Sequence, residues 1–313
     1  MLGKTAGGLY WMFRYLERTE NIARLIEAGF RIALTRSTDA ESEWKSVVTT
    51  SGVSAGYAAK YDNYTATNVV DYLLRDTSNP SSVTSVTGAA RDNARLVRTA
   101  LTTEVWEAVN ETWMTLTELL ANPVRETELP SVLNTIRQQS ALVRGALHGT
   151  MLRNDIYDFS RIGTFIERAD NTARIIDVKY YTLLPNTSFV GSSLDNVQWE
   201  TVLRSVSAHR SFRWLGESEM TASGIADFLI LDRRLPRSLS FCISQIVSNL
   251  DYLAEDYGER HACNDMAEKI QSRLKNRDIE SIFDEGLHEF ITAFIRDINS
   301  LGQQIESDFR FGG

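Results

Sequence analysis

Proline and cysteine are scarce in this chain of 313 residues, and no window approaches 18 consecutive apolar residues. Pro80, Pro123, Pro130, Pro185 and Pro236 are the only prolines. Proline breaks helices, so its rarity across long amphipathic stretches points to helix throughout. Two cysteines, Cys242 and Cys263, lack metal-ligand spacing. In a chain this long they read as reduced thiols of a cytoplasmic protein, because the core needs no disulfide. The missing apolar run excludes a membrane-spanning helix, and the first ten residues show no export signal. A net charge of −8 argues against nucleic acid as the main partner, since neutralising phosphates requires a basic face.

Apolar residues recur three and four apart over 9–33, 41–60, 66–76, 81–121, 129–152, 156–183, 197–215, 222–232, 237–257, 264–275 and 279–309. Loop chemistry separates them: Ser37-Thr-Asp-Ala, Thr77-Ser-Asn-Pro80, Ala121-Asn-Pro123, Pro185-Asn-Thr-Ser188 and Asp256-Tyr-Gly258. No alternating strand pattern appears. The expected fold is all-α, with 185–196 as the best linker candidate.

An internal repeat organises the pattern. Glu17-Arg-Thr-Glu-Asn-Ile-Ala-Arg-Leu-Ile26 matches Glu167-Arg-Ala-Asp-Asn-Thr-Ala-Arg-Ile-Ile176 at six of ten positions. Trp44-Lys-Ser-Val-Val48 then matches Trp199-Glu-Thr-Val-Leu203, and Val69-Val-Asp-Tyr-Leu-Leu-Arg-Asp76 matches Ile225-Ala-Asp-Phe-Leu-Ile-Leu-Asp232. Pro80 and Ser82 align with Pro236 and Ser238. Three matches in one order imply two diverged copies of a helical unit of about 150 residues. The boundaries are 1–150 and 151–313, packed as one bundle about a pseudo-two-fold axis.

On a helix, Glu17, Glu20, Asn21 and Arg24 share an arc of about 100°, and Glu167, Asp170, Asn171 and Arg174 repeat it. One reading is a half-buried face of i,i+4 ion pairs. The other places both stripes, with Arg18 and Arg168, around a polar cavity as a substrate-binding site. Carboxylates there hold an amine or cation, and guanidinium groups grip a carboxylate or phosphate.

Outside the stripes, Arg233, Arg234 and Arg237 stand before a helix start and suggest an anion site; Asn79 reads as the N-cap of the matching first-half helix. Glu167, Asp170 and His148 are the candidates for acid–base catalysis, with His148 as readily an interior histidine. Glu285-Gly-Leu-His288 has di-iron spacing, but no second copy exists, so no metal is expected. No phosphate-binding glycine loop or nucleophile signature is present, and no cofactor is expected.

The segments Tyr10-Trp-Met-Phe-Arg-Tyr-Leu-Glu-Arg-Thr-Glu-Asn21, Leu147-His-Gly-Thr-Met-Leu-Arg153 and Ile162-Gly-Thr-Phe-Ile-Glu-Arg-Ala-Asp170 resemble the alpha-E domain family, a bacterial helical family named for its Glu-Arg motif. Phe228-Leu-Ile-Leu-Asp-Arg-Arg-Leu-Pro-Arg-Ser238 resembles a further family block. The resemblance covers essentially the whole chain. It implies an all-helical protein whose relatives are typically encoded beside, or fused to, a circularly permuted ATP-grasp ligase and a transglutaminase-like peptidase. The leading expectation is therefore a helical partner of an ATP-grasp-type ligase in the synthesis or modification of a small peptide. An independent amide-forming or amide-cleaving enzyme and a structural assembly module are the alternatives, and a homo-oligomer is allowed. Gly7, Gly8, Phe13 and Thr164 depart from the family pattern. Phe13 suggests an occluded first site, and Gly163 an open second one.

Overall fold

The computed structural model describes residues 1–35, 40–183, 193–216 and 220–312. The first half comprises α1 (Gly3–Thr35), α2 (Ala40–Thr50), α3 (Ser54–Ala58), α4 (Ala66–Leu74), α5 (Val83–Leu96), α6 (Thr103–Leu119) and α7 (Leu129–Thr150). The second comprises α8 (Asp155–Leu183), α9 (Ser193–Ser205), α10 (His209–Arg213), α11 (Ala222–Ile230), α12 (Leu239–Tyr257), α13 (Ala262–Lys275), α14 (Ile279–Glu285) and α15 (Leu287–Asp308). No strand occurs among the described residues, so the chain is all-α. The expected break at 37–40 lies outside the described residues except for Ala40, which opens α2, and that at 185–188 lies wholly outside them. So does most of the expected linker at 185–196, of which 193–196 belong to α9.

Several expected helices are interrupted where the chain needs a different backbone. The 41–60 stretch ends α2 before Gly52, at φ +75°, and resumes as α3. The 81–121 stretch breaks at a 3-10 turn over Arg98–Ala100, and Thr102 then caps α6 by accepting from the Val105 amide. Ser207, at φ 56°, separates α9 from α10, and Gly286, at φ +103°, separates α14 from α15.

The longest helices, α1 and α8, form the centre and run side by side in the same direction. Tyr10 abuts Gly163, Arg14 and Arg18 reach Glu167, and Glu17 reaches Arg168. Around them, α5 and α7 cover α1, α12 and α15 cover α8, and α2 and α9 each touch both. A helix enclosed on all sides usually has an apolar circumference. Here Glu17, Glu20, Asn21, Arg24, Glu167 and Arg168 are all buried, so their polar groups must find partners inside the protein.

The turns before α5 and α12 are built alike. Thr65 and Thr221 cap α4 and α11 through the Asn68 and Gly224 amides. Ser82 and Ser238 cap α5 and α12 through the Ser85 and Phe241 amides. Ser82, rather than Asn79, is thus the cap. Asn79 instead braces the buried turn, donating to the Tyr72 carbonyl and accepting from the Ser81 amide.

Gly88 and Gly145 lie inside α5 and α7, and an added Cβ at either meets nothing within 4 Å. Gly88→Ala and Gly145→Ala are each expected to stabilise the fold by roughly 0.5–1 kcal/mol, because glycine is the poorer helix former. Urea-unfolding midpoints that fail to rise in both variants would count against this packing.

Candidate functional site

Two carboxylates from α1 anchor one half of the central network. Arg168 of α8 donates from Nε and Nη2 to the two Glu17 oxygens, each at 2.8 Å. Arg237, just before α12, donates to Glu17 at 3.2 Å, to Glu20 at 2.7 Å and to the Asn21 Oδ1 at 3.3 Å. Glu20 also accepts from Arg24 at 2.5 and 2.9 Å, and from Arg144 of α7 at 2.5 Å. Burial alone would raise the Glu17 and Glu20 pKa values. The guanidinium groups of Arg168 and Arg237 around Glu17, and of Arg237, Arg24 and Arg144 around Glu20, outweigh it and hold both below the ordinary carboxylate range.

The other half exchanges the roles of the helices. Arg18 of α1 donates to Glu167 of α8 at 2.5 Å from Nε and 2.9 Å from Nη2, and Arg14 adds a bond at 3.1 Å. Burial opposes ionisation, but Arg18 and Arg14 bring the Glu167 pKa to about 2. Arg174 clasps Asp170 one turn away on its own helix, at 2.7 and 3.1 Å.

A cavity of about 190 Å³ opens beside this second half. Arg18 and Asn21 of α1 line it together with Glu167, Asp170, Asn171 and Arg174 of α8, and Ser81 and Gly52 close two sides. Six of the ten expected stripe residues thus share one cavity. Glu17, Glu20, Arg24 and Arg168 lie in the paired half, where Arg237 occupies the space between the acids.

Other expected groupings do not come together. Arg233 and Arg234 are exposed, with Arg234 on Asp232 at 2.7 Å, whereas Arg237 is buried. Two buried carboxylates draw its guanidinium inward, so the three arginines form no common anion site. Burial, with Arg24 and Arg168 adding to it, outweighs Glu17 and Glu20 and lowers the Arg237 pKa to about 10.

The catalytic candidates are also split. Glu167 and Asp170 face the cavity, while His148 lies in a separate, much smaller pocket with Phe13, Glu17, Arg144 and Arg161. His148 contacts the Tyr157 hydroxyl at 2.8 Å through Nδ1 and the Arg161 Nη1 at 3.3 Å through Nε2. Guanidinium can only donate, so Nε2 accepts and the proton sits on Nδ1. Burial, then Arg161 and Arg153, push the His148 pKa down to about 4. Its acceptor nitrogen is already engaged, which does not suit a general base. An NMR titration of the His148 ring is expected to show a midpoint near pH 4; one at 6 or above would break this assignment.

Gly163 has a different role from the one expected, while Phe13 lines the small pocket beside Glu17. Phe13 packs with Met12, Leu16, Ala90, Val143 and Leu147 in a second apolar cluster. Gly163 opens no pocket; it lets α1 and α8 approach, and a Cβ there would stand 2.2 Å from the Tyr10 carbonyl oxygen. His288 pairs with Asp177 at 2.6 Å, and Glu285 with Arg277. Among the described residues no group of three or more metal-ligating side chains gathers. Nor is any helix among them long and apolar enough to cross a membrane.

Sequence reading missed Arg14 and Arg144 as partners of the acids, and Ser81 as a cavity wall. Arg14 lies one turn before Arg18 on the same helix and shares its partner Glu167, a usable signal. Nothing local marks Arg144, whose partner is 124 residues away.

No curated protein and no solved structure matches the chain. Residues 1–309 match Alpha-E, described as a predicted alpha-helical domain with a conserved ER motif. That span takes in both central helices and every residue of the ion-pair network, and the chain belongs to the Alpha-E family.

Proposed function

We propose that this protein is a non-catalytic or co-catalytic helical partner of an ATP-grasp-type ligase in the synthesis or modification of a small peptide. It binds substrate, intermediate or ligase through the paired Glu-Arg helices. The observation that carries this reading is the cavity walled by both helices at once, with Arg18 and Asn21 from α1 facing Glu167, Asp170, Asn171 and Arg174 from α8. Fixed guanidinium and carboxylate groups at the edge of a cavity are suited to orienting a polar ligand. Nucleotide chemistry resides in the ligase. A transglutaminase-like peptidase is a further partner, by the same family resemblance.

In this reading, 1–150 and 151–313 are diverged copies about a pseudo-two-fold axis. Support comes from the reciprocal pairs Glu17–Arg168 and Arg18–Glu167, the matched caps Thr65/Thr221 and Ser82/Ser238, and the buried Trp44 and Trp199. The buried, unbridged thiols of Cys242 and Cys263 fit a cytoplasmic setting.

The test is affinity capture with an ATP-grasp-type ligase from the same genome, followed by reconstituted product formation. The ligase is expected to be retained, and Asp170→Asn is expected to slow product formation without lowering stability at pH 7 by more than about 1 kcal/mol. A ligase that is not retained, together with unchanged product formation, contradicts the proposal.

A further inference from the structure

The two halves of the network differ in what fills them. In the Glu17–Glu20 half, the Arg237 side chain lies between the carboxylates. Counting back by the 156 residues that align Asp76 with Asp232, the matching position is Ser81, on the cavity wall. A short hydroxyl side chain leaves open the volume that a guanidinium takes elsewhere.

That volume does not ask for another cation. Arg18 and Arg174 balance Glu167 and Asp170 on the cavity wall, and Arg14, outside the wall, adds one further guanidinium on Glu167. Every oxygen of both carboxylates already accepts from a guanidinium nitrogen. The buried polar atoms of the lining that lack any partner are donors. Arg18 and Arg174 each bond through Nε and Nη2, which leaves both Nη1 groups without a hydrogen bond among the described residues. The Nδ2 atoms of Asn21 and Asn171 are buried with no partner. For Asn21 the amide orientation is fixed, because its Oδ1 accepts from Arg237. Asn21 is 3% exposed and lines the cavity, and its Nδ2 has no protein partner. An unpaired buried donor is destabilising, and a bound acceptor would offset that.

We infer that this cavity is an oxyanion site, receiving a carboxylate or phosphoryl group between the Nη1 groups of Arg18 and Arg174 and the carboxamide of Asn21. A planar carboxylate or a tetrahedral phosphoryl group presents several acceptor oxygens, and guanidinium recognises both. Ser81 keeps the site open, and Arg237 is the built-in plug of its counterpart. The inference names the ligand class for the cavity on which the proposed function rests. The two remain separable, because anion binding is read on the purified protein alone.

The experiment is isothermal titration calorimetry of the full chain in low-salt buffer at pH 7. Inorganic phosphate, acetate and ethylammonium are titrated separately, with sodium chloride as the ionic-strength control. Saturable binding of phosphate or acetate at one site per chain is expected. Phosphate alone identifies a phosphoryl group, and acetate alone a carboxylate. Asn21→Asp keeps the acceptor facing Arg237 but removes the free donor and adds charge. Arg174→Gln removes one guanidinium from the partly exposed rim. Each is expected to weaken binding at least about tenfold. No saturation by either anion at millimolar concentration, saturation by ethylammonium only, or affinity unchanged in a folded Asn21→Asp or Arg174→Gln variant would overturn the inference. Ligase capture without anion binding overturns this inference alone, and anion binding without ligase capture overturns the partnership alone.

Discussion

Glu17→Ala is expected to destabilise the protein by roughly 3–5 kcal/mol, the usual consequence of removing one member of a buried ion pair. The carboxylate is 3% exposed and faces two buried guanidinium groups, Arg168 and Arg237. Neither can shed its charge at neutral pH, and neither has water to replace the lost acceptor. A fold of this kind has about 5–15 kcal/mol in total, so the variant loses much of its margin. Urea unfolding followed by far-UV circular dichroism measures it, and a loss below about 1 kcal/mol would show that the pair is solvated in practice.

The same network sets the response to acid. Glu17, Glu20 and Glu167 have folded pKa values below their ordinary ones, so the native state binds fewer protons than the unfolded chain. Their contribution is present above the unfolded value of about 4.3 and is lost as pH falls through the folded value, about 2 for Glu167. The stability that these three carboxylates contribute is therefore expected to hold from pH 7 to about 5 and to decline below it. For Glu167 the displacement corresponds to about 3 kcal/mol, and Glu167→Gln should flatten the decline.

Gly163→Ala carries the second large effect. In a mid-helix position alanine ordinarily gains up to about 1 kcal/mol over glycine. Here the new Cβ would stand 2.2 Å from the Tyr10 carbonyl oxygen and 3.0 Å from its carbon. A backbone carbonyl inside a helix cannot swing aside as a long side chain does. Relief requires moving α1 away from α8, which lengthens the hydrogen bonds of Arg14, Arg18 and Arg168. The net loss is expected to be roughly 1–3 kcal/mol, opposite in sign to the gain at Gly88 and Gly145. Thermal unfolding of the three variants side by side checks it; a stabilised Gly163→Ala would mean that the central helices lie further apart.

Periodicity made the helices legible, and the Glu-Arg stripes were visible because four polar residues recur on one face. Their burial was not, since the same spacing serves an exposed face of i,i+4 pairs. Glu20–Arg24 and Asp170–Arg174 are such pairs, readable from one helix. Arg168 on Glu17, Arg18 on Glu167 and Arg237 on Glu20 join residues 149 to 217 apart, where no local rule applies. The arginine run at 233–237 misled for the same reason: charge clusters look solvated until a distant carboxylate claims one member. Ser82 and Ser238 as caps were within reach, because serine three residues before the Ser85 and Phe241 amides is an ordinary N-cap pattern. The helix break at Val97 left no comparable trace, as valine does not mark a turn, and a lone serine at 207 is too weak a signal within an apolar periodic stretch.

The most direct test of the central claim is a double-mutant cycle on Arg18 and Glu167, each replaced by glutamine singly and together, with unfolding free energies measured at pH 7. Two helices exchanging acid for guanidinium across a buried seam predict a coupling of at least about 1.5 kcal/mol, whereas additivity within about 0.5 kcal/mol would contradict it.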